Sequence, residues 1–228
     1  MQLSEATLKR LILMYRTLSR MIRYSDDVST VSSAQLGELI GVPSHSIRKD
    51  LSNLGEIGSS GKGYDVEKLT HFLAEKLELN RERKACVVGL GKIGTALIEY
   101  ETFSNSGFEM VAGFDSDMNR VDTIRTTVPV YPAYKIAEVL AKENIEMAFL
   151  AVPAMAVAKT IKRLKEGGIL GIVNLSPVVL TEDDVFIQNI DLTGELTMLS
   201  AMISVNNSSD KNSSNKNISN DNKGGQNG

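Results

Sequence analysis

The sequence predicts an α/β protein in two parts: a small helical unit over residues 1–80, then a doubly wound parallel sheet over 81–191 followed by one more helix. Three observations predict it. Up to about residue 80 the apolar residues recur at spacings of three and four, broken by a run of glycines. From Ala85 onward, apolar runs of strand length alternate with helical patterns. Between the first of those strands and its helix stands Gly89-Leu90-Gly91-Lys92-Ile93-Gly94. With 228 residues, 42% of them hydrophobic, the chain is long enough for one or two domains with cores of their own.

Taking the elements in order, residues 4–23 place Leu8, Leu11, Ile12, Tyr15, Leu18 and Ile22 on one helical face. Ser32 and Gln35 have the spacing of a capping box, in which each side chain satisfies a free backbone N–H. The short helix that follows, about 34–40, ends at Gly41, a residue suited to a left-handed cap. Pro43 and Ser44 open a third helix, about 45–54, with Ile47, Leu51 and Leu54 inward. Gly55, Gly58, Gly61 and Gly63 suit the turns of a small hairpin. Asp65 then caps a helix through about Leu79, with Leu69, Phe72, Leu73 and Leu77 inward.

Two short helices joined by a tight turn, with a hairpin behind them, read as a winged helix-turn-helix. The third helix would then read the DNA major groove. Ser44, His45, Ser46, Arg48 and Lys49 lie on its face opposite Ile47 and Leu51. Arg48 or Lys49 can donate to guanine O6 and N7, and Asp50 can orient a basic neighbour. Arg10 and the helix starts at Ser32 and Ser33 are candidates for phosphate contacts. The plainer alternative is a small helical subdomain with a solvated basic face. His45 and His71 read most simply as exposed surface residues.

In the second part, the first glycine of the Gly-rich turn allows a tight corner. The second lets backbone approach a pyrophosphate, and the third lets helix and strand pack closely. Asp115, with Ser116 beside it, ends the next strand 21 residues after Gly94. An acidic group there accepts hydrogen bonds from an adenosine ribose and repels a 2′-phosphate, which favours NAD or NADH over NADP. Two alternatives stay open: glycines that merely turn a βα corner, and coenzyme A as ligand, against which Asp115 argues because of the 3′-phosphate. A dehydrogenase would need an acid/base group and a substrate domain. Residues 85–191 contain no histidine and no second domain follows, so binding without catalysis is the simpler expectation; a small NAD-dependent oxidoreductase is its rival. A last helix over 192–205 carries Leu192, Leu196, Leu199, Met202 and Ile203. Residues 206–228, mostly Asn, Ser, Gly and Lys, have almost nothing apolar to bury and are expected to form a disordered tail.

The net charge of −3 divides unevenly. Residues 1–63 hold eight Lys and Arg against six Asp and Glu, whereas 85–205 hold nine against fifteen. A single cysteine, Cys86, excludes an internal disulfide, and with two histidines no metal site is expected. The opening MQLSEATLKR lacks a basic start with an apolar stretch, and no long apolar run follows. The expectation is a cytoplasmic protein without a membrane partner.

Together the two parts resemble the Rex family of redox-sensing transcriptional repressors over about residues 4–204. The segments that carry the resemblance are SEATLKRLILMYR, VSSAQLGELIGV, IRKDLSNLGEIG, GKGYDV, VVGLGKIGTAL, FDSD, LAVPA, GIVNLSPVVL and NIDLTGELTMLS. It implies a winged helix-turn-helix, a Rossmann-type sheet, and a homodimer in which the last helix is swapped onto the partner subunit. It further implies a repressor that binds palindromic operator DNA when NAD⁺ predominates and is released by NADH. Arg16, Tyr100 and Asp191 stand at the positions of an Arg–Tyr–Asp set that couples the DNA unit to the ligand state. Fold position and resemblance together put Ala151, Val152, Pro153, Asn174 and Ser176 on the nicotinamide side. The chain departs from the family pattern at Asn53, Leu54 and Ile57, where aromatic residues are usual, and at Ser60, where the wing commonly has a basic residue. Lys62 can take over that contact from two positions on. Leu192 replaces a frequent aromatic residue next to the nicotinamide.

Overall fold

Each of two units, Met1–Glu82 and Arg83–Gly228, is built around its own core. The computed structural model describes residues 3–24, 29–55 and 63–220, with side chains as far as 206.

In the first unit the order is α1 (Glu5–Tyr24), β1 (Thr30–Val31), α2 (Ser33–Ile40), α3 (Ser44–Leu54), β2 (Tyr64–Asp65) and α4 (Val66–Lys76). The capping box at α2 is present: the Gln35 N–H donates to Ser32 Oγ at 3.1 Å, and the Ser32 N–H donates to Gln35 Oε1 at 2.9 Å. α2 stops at Gly41, whose φ of 69° is left-handed backbone that glycine adopts without a Cβ penalty. Gly37 is needed for space, because a Cβ there would strike the Val42 carbonyl and push the turn off the helix. β1 and β2 pair antiparallel, Thr30 with Asp65 and Val31 with Tyr64. Residues 56–62, with Ser60 and Lys62, lie outside the described residues.

The buried face of α1 differs from the expected one. Leu11, Met14 and Leu18 are the buried residues, while Leu8 and Ile22 stay 42% and 45% exposed. The helix carries apolar residues on more than one face, and the spacing 11-14-18 satisfies the helical repeat as well as 8-12-15 does. α1 packs through that face on Leu36, Ile47, Leu51, Leu69 and Leu73 of the other helices.

The second unit continues with β3 (Arg83–Val88), α5 (Lys92–Ile98), β4 (Phe108–Asp115), α6 (Met118–Thr123), β5 (Val130–Pro132) and α7 (Ile136–Glu143). β6 (Met147–Leu150), α8 (Ala154–Glu166), β7 (Gly171–Asn174), β8 (Phe186–Asn189) and α9 (Leu192–Asn220) complete it. The strands form one sheet in the order β5-β4-β3-β6-β7-β8, every neighbouring pair parallel. Strand β3 shows why both faces are covered. Cys86 and Val88 join a core with Ile136, Leu140, Ile161 and Leu164 of α7 and α8, and Val87 points the other way, to Leu90 and Ile98. Cys86 is fully buried, and burial pushes its thiol well above the usual range. The strand order reverses between β3 and β6, which opens a crevice beyond their carboxyl ends.

Helix α9 runs on to Asn220, past the expected boundary at 205, so the backbone of 206–220 is helical rather than an unstructured tail. Extending α9 needs no second nucleation, which lowers the cost of continuing it through Asn- and Ser-rich residues that are weak helix formers on their own. Its apolar residues Leu192, Leu196, Leu199, Met202 and Ile203 are all more than half exposed. Among the described residues, no helix is long and apolar enough to cross a membrane.

Candidate functional site

The crevice holds a cavity of about 770 Å³, within the usual size of a small-molecule site. Gly89, Gly91, Lys92, Ile93 and Gly94 line it from the β3–α5 turn, Asp115 and Ser116 from the end of β4, and Ala151, Val152 and Pro153 from the end of β6. Gly89 has φ 95°, and a Cβ on it would collide with the Ala151 carbonyl. A Cβ on Gly94 would collide with the Gly89 carbonyl, so helix and turn are in direct contact there. At Gly91 a Cβ would meet nothing within 4 Å. The open space is therefore at the second glycine, where a pyrophosphate needs close backbone approach, and the cradle fits a dinucleotide.

Asp115 is a buried carboxylate with two backbone partners. Its Oδ2 accepts the Leu90 N–H at 2.8 Å and its Oδ1 accepts the Asp117 N–H at 2.8 Å. It ties the Gly-rich turn to β4, and each oxygen retains a lone pair for ribose hydroxyls. Leu90 itself does not line the cavity; its side chain packs beneath the turn with Val87 and Ile98.

Three cationic residues that sequence reasoning missed also line the cavity: Arg120, Lys159 and Arg163. Arg120 Nη1 donates to the Leu90 carbonyl at 2.8 Å, and Arg163 Nη1 donates to the Ala133 carbonyl at 3.1 Å. The signal was available. Met155, Lys159 and Arg163 recur every fourth residue of α8, so they share one face, and Arg120 stands on the short helix that starts directly after β4.

Asn174 and Ser176 were expected on the nicotinamide side, but neither lines the cavity; Leu175 between them does. A strand alternates its side chains, so neighbours at its end face opposite ways. Asp191 has a local role as the cap of α9: its Oδ1 accepts the N–H groups of Thr193 at 3.0 Å and Gly194 at 2.9 Å. Tyr100, after α5, is exposed and makes an edge contact with Phe103, which stacks on Phe149. Arg16 is exposed on α1.

On the first unit, α3 presents His45, Arg48 and Lys49 to solvent, with Ser44 and Ser46 half-buried beside them. Arg48 Nη1 donates to Ser33 Oγ at 2.9 Å, which joins α3 to the start of α2. The hydroxyl of Ser32 is engaged in its cap. Asp50 orients a basic neighbour as expected, but from a buried position. It is 2% exposed, and the basic neighbour it orients is Arg10 of α1. Arg10 Nε and Nη2 donate to the two carboxylate oxygens at 2.6 and 2.8 Å. The guanidinium fork is thus spent on an internal ion pair, and the two residues fasten α1 to α3 rather than offering a free group to phosphate.

Known proteins share both units. Residues 2–52 match a family model described as "Putative DNA-binding protein N-terminus", and residues 80–178 match one described as "CoA binding domain". The redox-sensing transcriptional repressor Rex of Pelotomaculum thermopropionicum is 36% identical over 201 residues, covering 88% of this chain and 93% of that protein. That of Streptococcus pyogenes serotype M4 is 37% identical over 205 residues, 89% and 95% of the two chains. RSP, a Rex-family repressor, has been solved in complex with beta-NAD⁺ and operator DNA; it is 30% identical, covers 94% of this chain and 98% of its own, and superposes with a TM-score of 0.83. Its complex with beta-NADH is 29% identical over 92% and 99%, with a TM-score of 0.81.

Proposed function

The chain belongs to the Rex family of redox-sensing transcriptional repressors, and from that premise we propose that it is a homodimeric repressor, released from palindromic operator DNA when NADH occupies the Gly-rich cavity. One observation carries the reading: a single chain combines an exposed basic helix behind a tight turn with a cradle whose open space lies at Gly91 and whose buried acid is Asp115. Lys49 and Arg48 of α3 read base edges, and the α2 start at Ser33 contacts phosphate. Asp115 accepts the adenosine ribose, and Ala151, Val152 and Pro153 form the wall toward the nicotinamide. Between NAD⁺ and NADH the nicotinamide changes by one charge and in ring planarity, and that difference is what the site must read.

Two copies are needed to match a palindrome, because operator symmetry mirrors the two-fold of the protein. The exposed apolar face of α9 supports a helix swapped onto the partner subunit. Arg16, Tyr100 and Asp191 carry the ligand state to the DNA unit. The protein acts in the cytoplasm and binds its ligands without transforming them, in keeping with relatives named as transcriptional repressors.

Linkage sets what NADH must do. A ligand displaces DNA only by preferring the conformation that binds DNA poorly. A labelled palindrome titrated with NAD⁺ and with NADH at fixed salt, read by fluorescence anisotropy, tests this directly. Release by NADH and not by NAD⁺ is expected. Binding that ignores both would leave a DNA-binding protein without the switch, and displacement by coenzyme A at equal concentration would replace the ligand.

A further inference from the structure

At the end of β7 a buried carboxamide has every polar position filled. Asn174 is 1% exposed. Its Nδ2 donates to the Val178 carbonyl at 2.7 Å and to Asn189 Oδ1 at 2.8 Å. Its Oδ1 accepts the Ser176 N–H at 3.0 Å and the Ser176 hydroxyl at 2.6 Å. Asn189, at the end of β8, completes the arrangement: its Oδ1 also accepts the Leu180 N–H at 3.0 Å, and its Nδ2 donates to the Leu180 carbonyl at 2.9 Å. Two carboxamides with complementary donors and acceptors thus grip the segment 175–180 from both strands.

This block has two ends. At one, Leu175 lines the cavity beside Ala151 and Val152, with its N–H held by the Leu150 carbonyl at 2.9 Å. At the other, the Ile190 N–H donates to the Asn174 carbonyl at 2.9 Å, and the next residue, Asp191, caps α9. β8 is the edge strand of the sheet and leaves most of its side chains exposed, so the carboxamide pair supplements a thin apolar attachment. We infer that Asn174 and Asn189 form a clamp through which occupancy of the cavity shifts the start of α9, making Asn189 a positioning residue for the NADH response. A shift of Leu175 cannot be absorbed inside the block without unpairing a buried polar group, so the displacement passes to Asn189 and the cap. The inference rests on the function proposed above and adds the element that links ligand to helix. Asn189 does not line the cavity, and its side chain lies at the surface.

The test compares full-length wild type, Asn189→Ala and Asn189→Asp. NADH affinity is measured by calorimetry, and operator affinity by anisotropy with and without saturating NADH. For Asn189→Ala, NADH affinity and NADH-free operator affinity are expected within about threefold of wild type, while the NADH-induced loss of operator affinity shrinks by about tenfold or more. Asn189→Asp keeps an acceptor for Asn174 and for the Leu180 N–H but turns a carboxylate oxygen toward the Leu180 carbonyl, so it should restore only part of the response. A full response in Asn189→Ala would overturn the clamp. So would a fall in NADH affinity matching the lost response, since the network would then merely build the cavity. A wild type that ignores NADH would instead remove the function on which the clamp rests, so the two failures are told apart.

Discussion

Lys49 and Arg10 are both cations of the first unit, yet their surroundings give them opposite work. Lys49 is solvent-exposed on α3, with no ion pair or side-chain hydrogen bond to any of the described residues. Its truncation in Lys49→Ala should weaken specific operator binding by about 10–100-fold, the worth of one good base contact, and leave NADH affinity unchanged. Anisotropy for DNA and calorimetry for NADH check the two halves of that statement. Arg10 instead neutralises a carboxylate that is almost wholly buried. Arg10→Ala would strand the Asp50 charge and should cost about 3 kcal/mol of folding stability, read as a lower urea midpoint. Replacing both, Arg10→Met with Asp50→Leu, should recover most of that loss, because the penalty comes from the unpaired charge and not from the missing pair.

Helices separate into those whose ends are written locally and those decided by distant contacts. The start and stop of α2 could be read from Ser32, Gln35 and Gly41, since a capping box and a left-handed cap need only residues within one turn. The alternation of strands and helices after Ala85 was legible in outline, as was the Gly-rich turn at the crevice, whereas the short α6 and β5 carry too few residues to show a period. The inner face of α1 was not, because apolar residues at 8, 12 and 15 compete with those at 11, 14 and 18, and only packing against α4 and its neighbours decides. The Arg10–Asp50 pair spans 40 residues, beyond the reach of any local pattern. Asn174 and Ser176 were assigned by position on a strand end, which fixes where the backbone goes and leaves open which way each side chain turns. Helix α9 gives the prediction at this scale. Leu196 is 68% exposed within its own chain, a state that an apolar residue leaves on pairing. If α9 pairs as proposed, Leu196→Glu should shift the protein from dimer toward monomer in light scattering, while a chain ending after Val205 stays dimeric.

For the molecule as a whole, binding of NADH and of operator DNA are two readings of one coupling free energy. If NADH weakens operator affinity by some factor, operator DNA must weaken NADH affinity by that same factor. Measured at one salt concentration, the two factors should agree within error; disagreement would mean a third state or a second NADH site. Salt matters because Lys and Arg that contact DNA release counterions from the phosphates, and these residues are in excess over residues 1–63. Cys86 adds a consequence about time. The chain's one thiol is sealed inside the sheet, with its protonated form favoured by burial, so oxidants find no thiolate to convert into a sulfenic acid or a mixed disulfide. No cysteine lesion is left behind for a reductase to repair. Such a protein keeps no thiol record of past oxidative episodes, and treatment of the folded protein with a thiol-alkylating reagent should leave its response to NADH unchanged.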